Sequence, residues 1–469
     1  MLTSTLKIRL EKDSLGSKEI LASALYGIQT LRGAENCPIS GEPLLPELVK
    51  AYAELKKACA ISNNQLGLLP KKIVDPIIRA CDEIIAGKHA DQFIVDVFQA
   101  GAGTSTNMNL NEVIANRALE ILKQPKGSYN IISPNDHVNM AQSTNDTYPT
   151  AMRLAILLQH PKLDSKLEIL EKTFFQKAKE FKNIIKSART HLQDAVPITL
   201  GQEFSAWGQV IKSLRRRITE ASREVAILGI GGSAAGTGLN VHPNFANLVI
   251  KNLQKQTKLN LKLAQDLIES MQSQRQILNF ASALKEAAIE VSRIASDLRL
   301  LSSGPNTGLA ELVLPAVQPG SSIMPGKVNP SILECVNMVC YRVIGAETAI
   351  AYAVHGGQLD LNVNMPLMSL EALTSMKIFG NAVKIMAEKC IAGIQVNKEK
   401  CEKYAFESAS LATALNPILG YAQVAEIVKE FVKTGNSFPE IILRKKLLTE
   451  VELKRILDPK KMTSNLRKA

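Results

Sequence analysis

Two adjacent hydroxyls, an ammonium and a carboxamide share one proline-flanked loop, PGSSIMPGKVNP, at Ser321, Ser322, Lys327 and Asn329. The loop interrupts a chain that otherwise reads as one helix after another. Pro330 suits the first position of a helix whose first turn would carry Glu334. A cation such as Lys327 just ahead of that helix is unfavourable, because a helix N-terminus carries partial positive charge. An anion held between the two would remove the conflict; a simple connecting loop is the alternative.

Three more segments are richer in small polar residues than a helical scaffold requires. In GAGTSTNMNLNEV, Gly101 to Val113, the glycines let backbone approach a ligand, and Thr104 and Ser105 stand where a helix would begin. Free N–H groups and hydroxyls there suit a carboxylate, although plain N-capping would also explain a Thr or Ser. Asn107, Asn109 and Asn111, at alternate positions, exceed what capping needs. In SPNDHVNMAQSTNDTYPTAM, Ser143, Thr144 and Asn145 give three consecutive donors ahead of another helix, and a turn would account for the Asn-Asp pair. In ARTHLQDAVPITLGQEF, Thr190 and His191 lie beside Gln193 and Asp194. A single histidine is more often structural than catalytic, yet the chain has only six.

Helices must position these groups. At 469 residues the chain is long enough for two or three domains. Hydrophobic residues make up 46% and aromatics only 4%, which implies an aliphatic core and favours packed helices. No apolar run is long enough to cross a bilayer, and MLTSTLKIRLEKDSLGSKE lacks a signal-peptide apolar region. A cytoplasmic protein without a membrane partner is expected. Seven cysteines, Cys37 to Cys401, show no metal or redox spacing, so reduced and mostly buried thiols are expected. The net charge of +12 fits either a nucleic-acid surface or a basic skin that attracts small anions. The basic run LRKKLLTEVELKRILDPKKMTSNLRKA lacks interleaved aromatics, and its cations fall where a helix exposes them. That favours a small dicarboxylate over nucleic acid.

LLPELVKAYAELKKACAISNNQLG has apolar residues at three- and four-residue steps, and Gly67 suits its C-terminal cap. HPKLDSKLEILEKTFFQKAKEFKNIIKSA and GQEFSAWGQVIKSLRRRITEASREVAIL continue the helical pattern. The stretches QILNFASALKEAAIEVSRIASDLRLLSS, LECVNMVCYRVIGAETAIAYAVHGG and MPLMSLEALTSMKIFGNAVKIMAEKCI have little or no polar face. Helices apolar nearly all round are buried on all sides, which implies a bundle that also packs against other subunits of a symmetric oligomer. ILGIGGSAAGTGLN, Ile227 to Asn240, follows a charged helix with the wrong glycine spacing for a dinucleotide site, and reads as a helix-to-helix loop. Boundaries fall near 140 and 395. They divide a mainly helical N-terminal domain (1–140) from a central long-helix bundle with the GSS loop (141–395) and a small helical C-terminal domain (396–469).

GSSIMPGKVNP resembles the signature of the aspartase/fumarase superfamily, and the other three segments resemble its remaining blocks in the expected order. The resemblance runs from YGIQTLR at Tyr26 to LTEVEL near Val451. The KVNP ending looks like the branch that holds fumarases and aspartases. Fumarases typically read GSGTQ and NDDVN; GAGTS and NDHVN here (Ala102, Ser105, His137), with LLSSGP at Leu300 to Pro305, resemble aspartases. Departures are Ser133, where Asn is usual, and Asn364–Met365, where Met-Glu is common. His191 matches fumarases and some aspartases. The resemblance implies an all-α fold of three domains, whose long central helices pack into the core of a homotetramer with active sites shared between subunits.

It also implies elimination of ammonia from L-aspartate to give fumarate. Removing a Cβ proton requires the β-carboxylate to take up charge as an aci-carboxylate, which needs donors aimed at it. By resemblance Thr104, Ser143, Thr144 and Ser322 are those donors. Ser321 is the base, its alkoxide stabilised by loop N–H groups and Lys327, on a loop that opens for substrate and then closes. Lys327 and Asn329 hold the α-carboxylate; Asn145, Thr190 and His191 surround the departing amine; Glu334 orients His191. No cofactor is required, and no Asp/Glu/His cluster demands a metal, although divalent cations activate some members. The rival readings are a class II fumarase, a non-catalytic structural protein on the same fold, and a basic nucleic-acid binder.

Overall fold

Aliphatic periodicity makes this a mostly helical protein. The structure, a computed structural model, describes residues 7–458, 462 and 463, and among them only four two-stranded ladders accompany the helices. The chain forms two compact units: one runs to Ser165 and adds Arg216–Ala288 and Tyr341–Gly380; the other joins Lys166–Arg215, Ile289–Cys340 and the chain from Asn381.

The first unit opens with an antiparallel hairpin, β1 (Ile8–Asp13) and β2 (Gly16–Leu21), with Ile8 opposite Leu21. Helices α1 (Ile28–Asn36), α2 (Pro46–Gln65), α3 (Lys71–Ile85) and α4 (Thr104–Ile121) follow. Proline at the first position starts α2, and Gly67 at φ +75° follows its end, the latter as the sequence predicts. Helix α4 is enclosed almost all round, with Asn107, Asn109, Asn111 and Asn116 all buried.

Helix α5 (Thr144–Glu180) begins in the first unit and ends in the second. After it the helical reading of NIIKSA fails: β3 (Ile185–Thr190) and β4 (Gln193–Thr199) form an antiparallel hairpin instead. Pro197 excludes a helix interior, and Ile185, Thr190, Val196, Ile198 and Thr199 favour a pleated surface. Helix α6 (Leu200–Val225) follows. The glycine-rich segment after it starts with β5 (Ile227–Leu228); beyond α7 (Phe245–Thr257), β6 (Lys262–Leu263) pairs with β5 in parallel.

Helices α8 (Leu267–Gln272) and α9 (Arg275–Leu301) lead to β7 (Leu312–Val313) and the GSS loop. Helix α10 (Ser331–His355) starts one residue later than expected, so Pro330 caps it rather than opening it. Helix α11 (Met365–Ile385) begins at fully buried Met365, and β8 (Gln395–Val396) pairs with β7. Helix α12 (Lys398–Glu407) and the short helices α13 (Asn416–Leu419), α14 (Tyr421–Thr434), α15 (Phe438–Arg444) and α16 (Glu450–Ile456) complete the second unit. A small core of Leu415, Ile427, Phe438, Ile441, Ile442 and Leu453 holds α14 to α16 together. Most of the basic run beyond Asp458 lies outside the described residues.

Candidate active site

In the first unit, α4 and α5 begin with the donor groups predicted from sequence. Ala102 and Gly103 both take positive φ, 59° and 84°, and a Cβ at Gly103 would overlap the Tyr148 ring. That tight, left-handed entry leaves Thr104 exposed as the first residue of α4. Ser143 sits just ahead of α5 as expected, whereas Thr144 and Asn145 are already its first two residues. The Ser143 N–H donates to Asp146 Oδ1 at 3.0 Å, half of a capping box. Asn145 Nδ2 donates to the Ala234 carbonyl at 2.8 Å, which leaves its Oδ1 as the outward group. Thr144 Oγ1 accepts from Asn107 Nδ2 at 3.1 Å.

Two buried charges lie behind this turn. Asp146 also accepts from the Gly231 and Ser233 N–H groups, both at 3.0 Å, so the glycine-rich loop wraps a carboxylate of its own chain. Burial pushes the Asp146 carboxyl up to about 6, against those backbone donors and the charge of Lys56. Burial likewise pulls the Lys56 ammonium down to about 7, against nearby Cys59 and Asp146. Lys56 donates to Asn139 Oδ1 at 2.9 Å and Gln142 Oε1 at 2.8 Å.

The second unit carries the remaining predicted residues on two loops. Thr190 pairs with Gln193 across the hairpin, and His191 and Leu192 form its two-residue turn at φ 57° and 59°. This turn geometry matches strand twist but normally recruits Gly or Asn, so two ordinary side chains there store about 1 kcal/mol or more each. His191 is exposed at the tip. Below it, Arg189 binds fully buried Glu311 through two bonds of 3.0 and 2.9 Å, and Lys186 bridges Glu203 and Glu311.

In the GSS loop, Ser321 Oγ accepts from the Met324 N–H at 2.9 Å and the Ile323 N–H at 3.2 Å. The loop is pinned by the Gly320 N–H on the Lys327 carbonyl at 2.8 Å and by Asn329 Nδ2 on the Gly320 carbonyl at 2.6 Å. A Cβ at Gly320 would come within 2.6 Å of the Lys327 oxygen, so the approach requires glycine. Ser322 and Lys327 are exposed. Glu334 faces Arg299 at 3.8 Å; among the described residues it makes no hydrogen bond to His191.

Sequence reasoning missed Lys56, Asp146, Arg189 and Glu311. Lys56 reads as half of a solvated Lys-Lys pair in α2, and only its position on the apolar face of that helix distinguishes it. Ser133, the departure from aspartases, accepts from the Asp136 N–H at 3.0 Å and caps a short π-turn at Pro134–Val138. Among the described residues no group of three or more His, Cys, Asp or Glu is placed to hold a metal ion. A cleft of about 570 Å³ bordered by Lys12, Arg32, Ser105 and Tyr129 adjoins α4; Ser105 lines it, but none of the side chains assigned to catalysis or substrate binding does.

A family model described as Lyase matches residues 16–345, and one described as Fumarase C C-terminus matches 411–464. The chain belongs to the fumarase/aspartase superfamily. Within this superfamily it is 47% identical to aspartate ammonia-lyase of Helicobacter pylori, over 97% of this chain and 98% of that one. Fumarate lyase:delta crystallin from Brucella melitensis, solved bound to cobalt, superposes with a TM-score of 0.94 at 48% identity, covering 97% and 99% of the two chains. The class II fumarase of Schistosoma mansoni gives 0.95 at 34% identity, covering 98% and 99%. The superfamily backbone is therefore shared by both chemistries, while sequence identity is higher with the aspartate ammonia-lyase than with the fumarase.

Proposed function

We propose that the chain is an aspartate ammonia-lyase, converting L-aspartate reversibly to fumarate and ammonia. One observation carries this: the 47% identity to a curated aspartate ammonia-lyase runs through almost the entire length of both chains. Ser321 takes the Cβ proton, and the electron pair moves into the β-carboxylate. The aci-carboxylate then collapses, forming the C=C bond and expelling the aminium group as neutral ammonia. Two backbone N–H groups already directed at Ser321 Oγ support its role as base, because they stabilise an alkoxide there.

Thr104, Ser143, Thr144 and Ser322 donate to the developing carboxylate charge. Asn145 presents its Oδ1 to the amine, its Nδ2 being held by Ala234, and Thr190 and His191 complete that subsite. Lys327 and the second N–H of Asn329 hold the α-carboxylate. Glu334 orients His191 within a homotetramer whose sites draw on several subunits, each chain divided into domains at about residues 140 and 395. The elimination needs no organic cofactor. Activation by a divalent cation belongs to the same reading, and the cobalt-bound Brucella melitensis neighbour supports it. A cytoplasmic location accords with helices too short or too polar to cross a membrane among the described residues.

Purified protein given L-aspartate should release fumarate and ammonia in equal amounts without added organic cofactor, and a chelator followed by Mg²⁺ should change the rate without abolishing it. Ammonia without fumarate would overturn the elimination.

A further inference from the structure

We infer that Asn107 is a positioning residue that fixes the Thr144 hydroxyl as a dedicated hydrogen-bond donor to the reacting carboxylate. This deepens the function proposed above and rests on it. The inference comes from the direction of each bond in a buried chain that links Lys56 to Thr144 inside the first unit.

The chain of bonds is tied at its Lys56 end to groups whose polarity is unambiguous: an ammonium and backbone carbonyls. Gln142 Nε2 donates to the Val138 and Met140 carbonyls at 3.0 and 3.1 Å, so its Oε1 faces Lys56. Asn139 Nδ2 donates to the Gln142 carbonyl at 3.2 Å, so its Oδ1 faces inward. Lys56 Nζ donates to both inward oxygens, at 2.9 and 2.8 Å. Asn139 Oδ1 also receives Asn107 Nδ2 at 3.2 Å, which determines the orientation of the Asn107 amide. That same Nδ2 reaches Thr144 Oγ1 at 3.1 Å, so the hydroxyl oxygen accepts. A threonine hydroxyl that accepts from one side has its single proton left for another partner. Among the described residues no acceptor takes that proton.

The arrangement has a cost that marks it. Asn107 Oδ1 is buried without a partner. Turning the amide over would set Asn107 Oδ1 against Asn139 Oδ1, two acceptors face to face, and would draw the Thr144 proton inward, away from the site. The orphaned acceptor is what remains when the N–H side is committed to Thr144.

A double-mutant cycle in the full-length enzyme tests this, with Asn107→Ala, Thr144→Val and their combination assayed on L-aspartate. Each single change should lower kcat about 100-fold, the loss typical of one oxyanion donor, with KM little changed. The double variant should fall no further than Thr144→Val alone, because Asn107 acts only through that hydroxyl. Losses that multiply, or an Asn107 effect confined to KM, would overturn the inference while leaving the lyase activity standing. Asn107→Asp guards against misfolding: it keeps the shape and places an acceptor where the donor was. It should lose kcat like Asn107→Ala, and near-normal kcat with unchanged melting would equally overturn the inference. A wild type that makes no fumarate would overturn the parent proposal and this one with it.

Discussion

Proton removal in the proposed reaction depends on Ser321. Its hydroxyl is a weak base unless the alkoxide is stabilised, and the N–H groups of Ile323 and Met324 point at its oxygen. Ser321→Ala should lower kcat about 1000-fold, within the range for loss of a general base, while fumarate binding, measured by calorimetry, changes little. Lys56 makes a different prediction, about stability. Its folded pKa is depressed to about 7 from 10.5, so the unfolded chain binds more protons between those values and stability rises with pH across that window. Lys56→Met should remove this rise, seen as a flatter melting temperature between about pH 7 and 10. The proposed site residues stood out in the sequence because four short segments carry more hydroxyls and amides than helix capping requires, and because Lys327 places an ammonium ahead of a helix N-terminus. Lys56 and Asp146 were not legible, because burial of a charge is decided by the packing of distant segments.

The elements that aim these residues depend on a few backbone positions. Gly103 stands at φ 84° with the Tyr148 ring where a Cβ would go. Gly103→Ala should therefore cost about 2 kcal/mol or more in unfolding free energy, and activity should fall with it through displacement of Thr104. The His191 hairpin depends on the ion pair beneath it. Arg189→Met strips one cation from Glu311, which has no exposure to water, and should destabilise the fold by about 3 kcal/mol in denaturant titration. The helix stop at Gly67 and the helix start at Thr104 were readable from capping chemistry. The β3–β4 hairpin was hidden because its turn uses His and Leu instead of Gly or Asn, and because the preceding sequence keeps a helical period.

At the scale of the molecule, the apolar helices announced more burial than one chain provides. Met338, Tyr341 and Tyr352 on α10 remain 64%, 58% and 74% exposed, although the sequence predicts that helix to be covered all round. The homotetramer proposed above would cover them. Light scattering should then return four times the chain mass of 51.1 kDa, and Tyr352→Glu should lower mass and activity together. A monomer with full activity would count against shared active sites.

The most direct measurement of the central claim is the ultraviolet absorbance of fumarate, followed with purified protein given L-aspartate in one cuvette and L-malate in another. An aspartate ammonia-lyase raises the signal with L-aspartate and leaves L-malate unchanged. A rise with L-malate alone would contradict the account and identify water, not ammonia, as the leaving group.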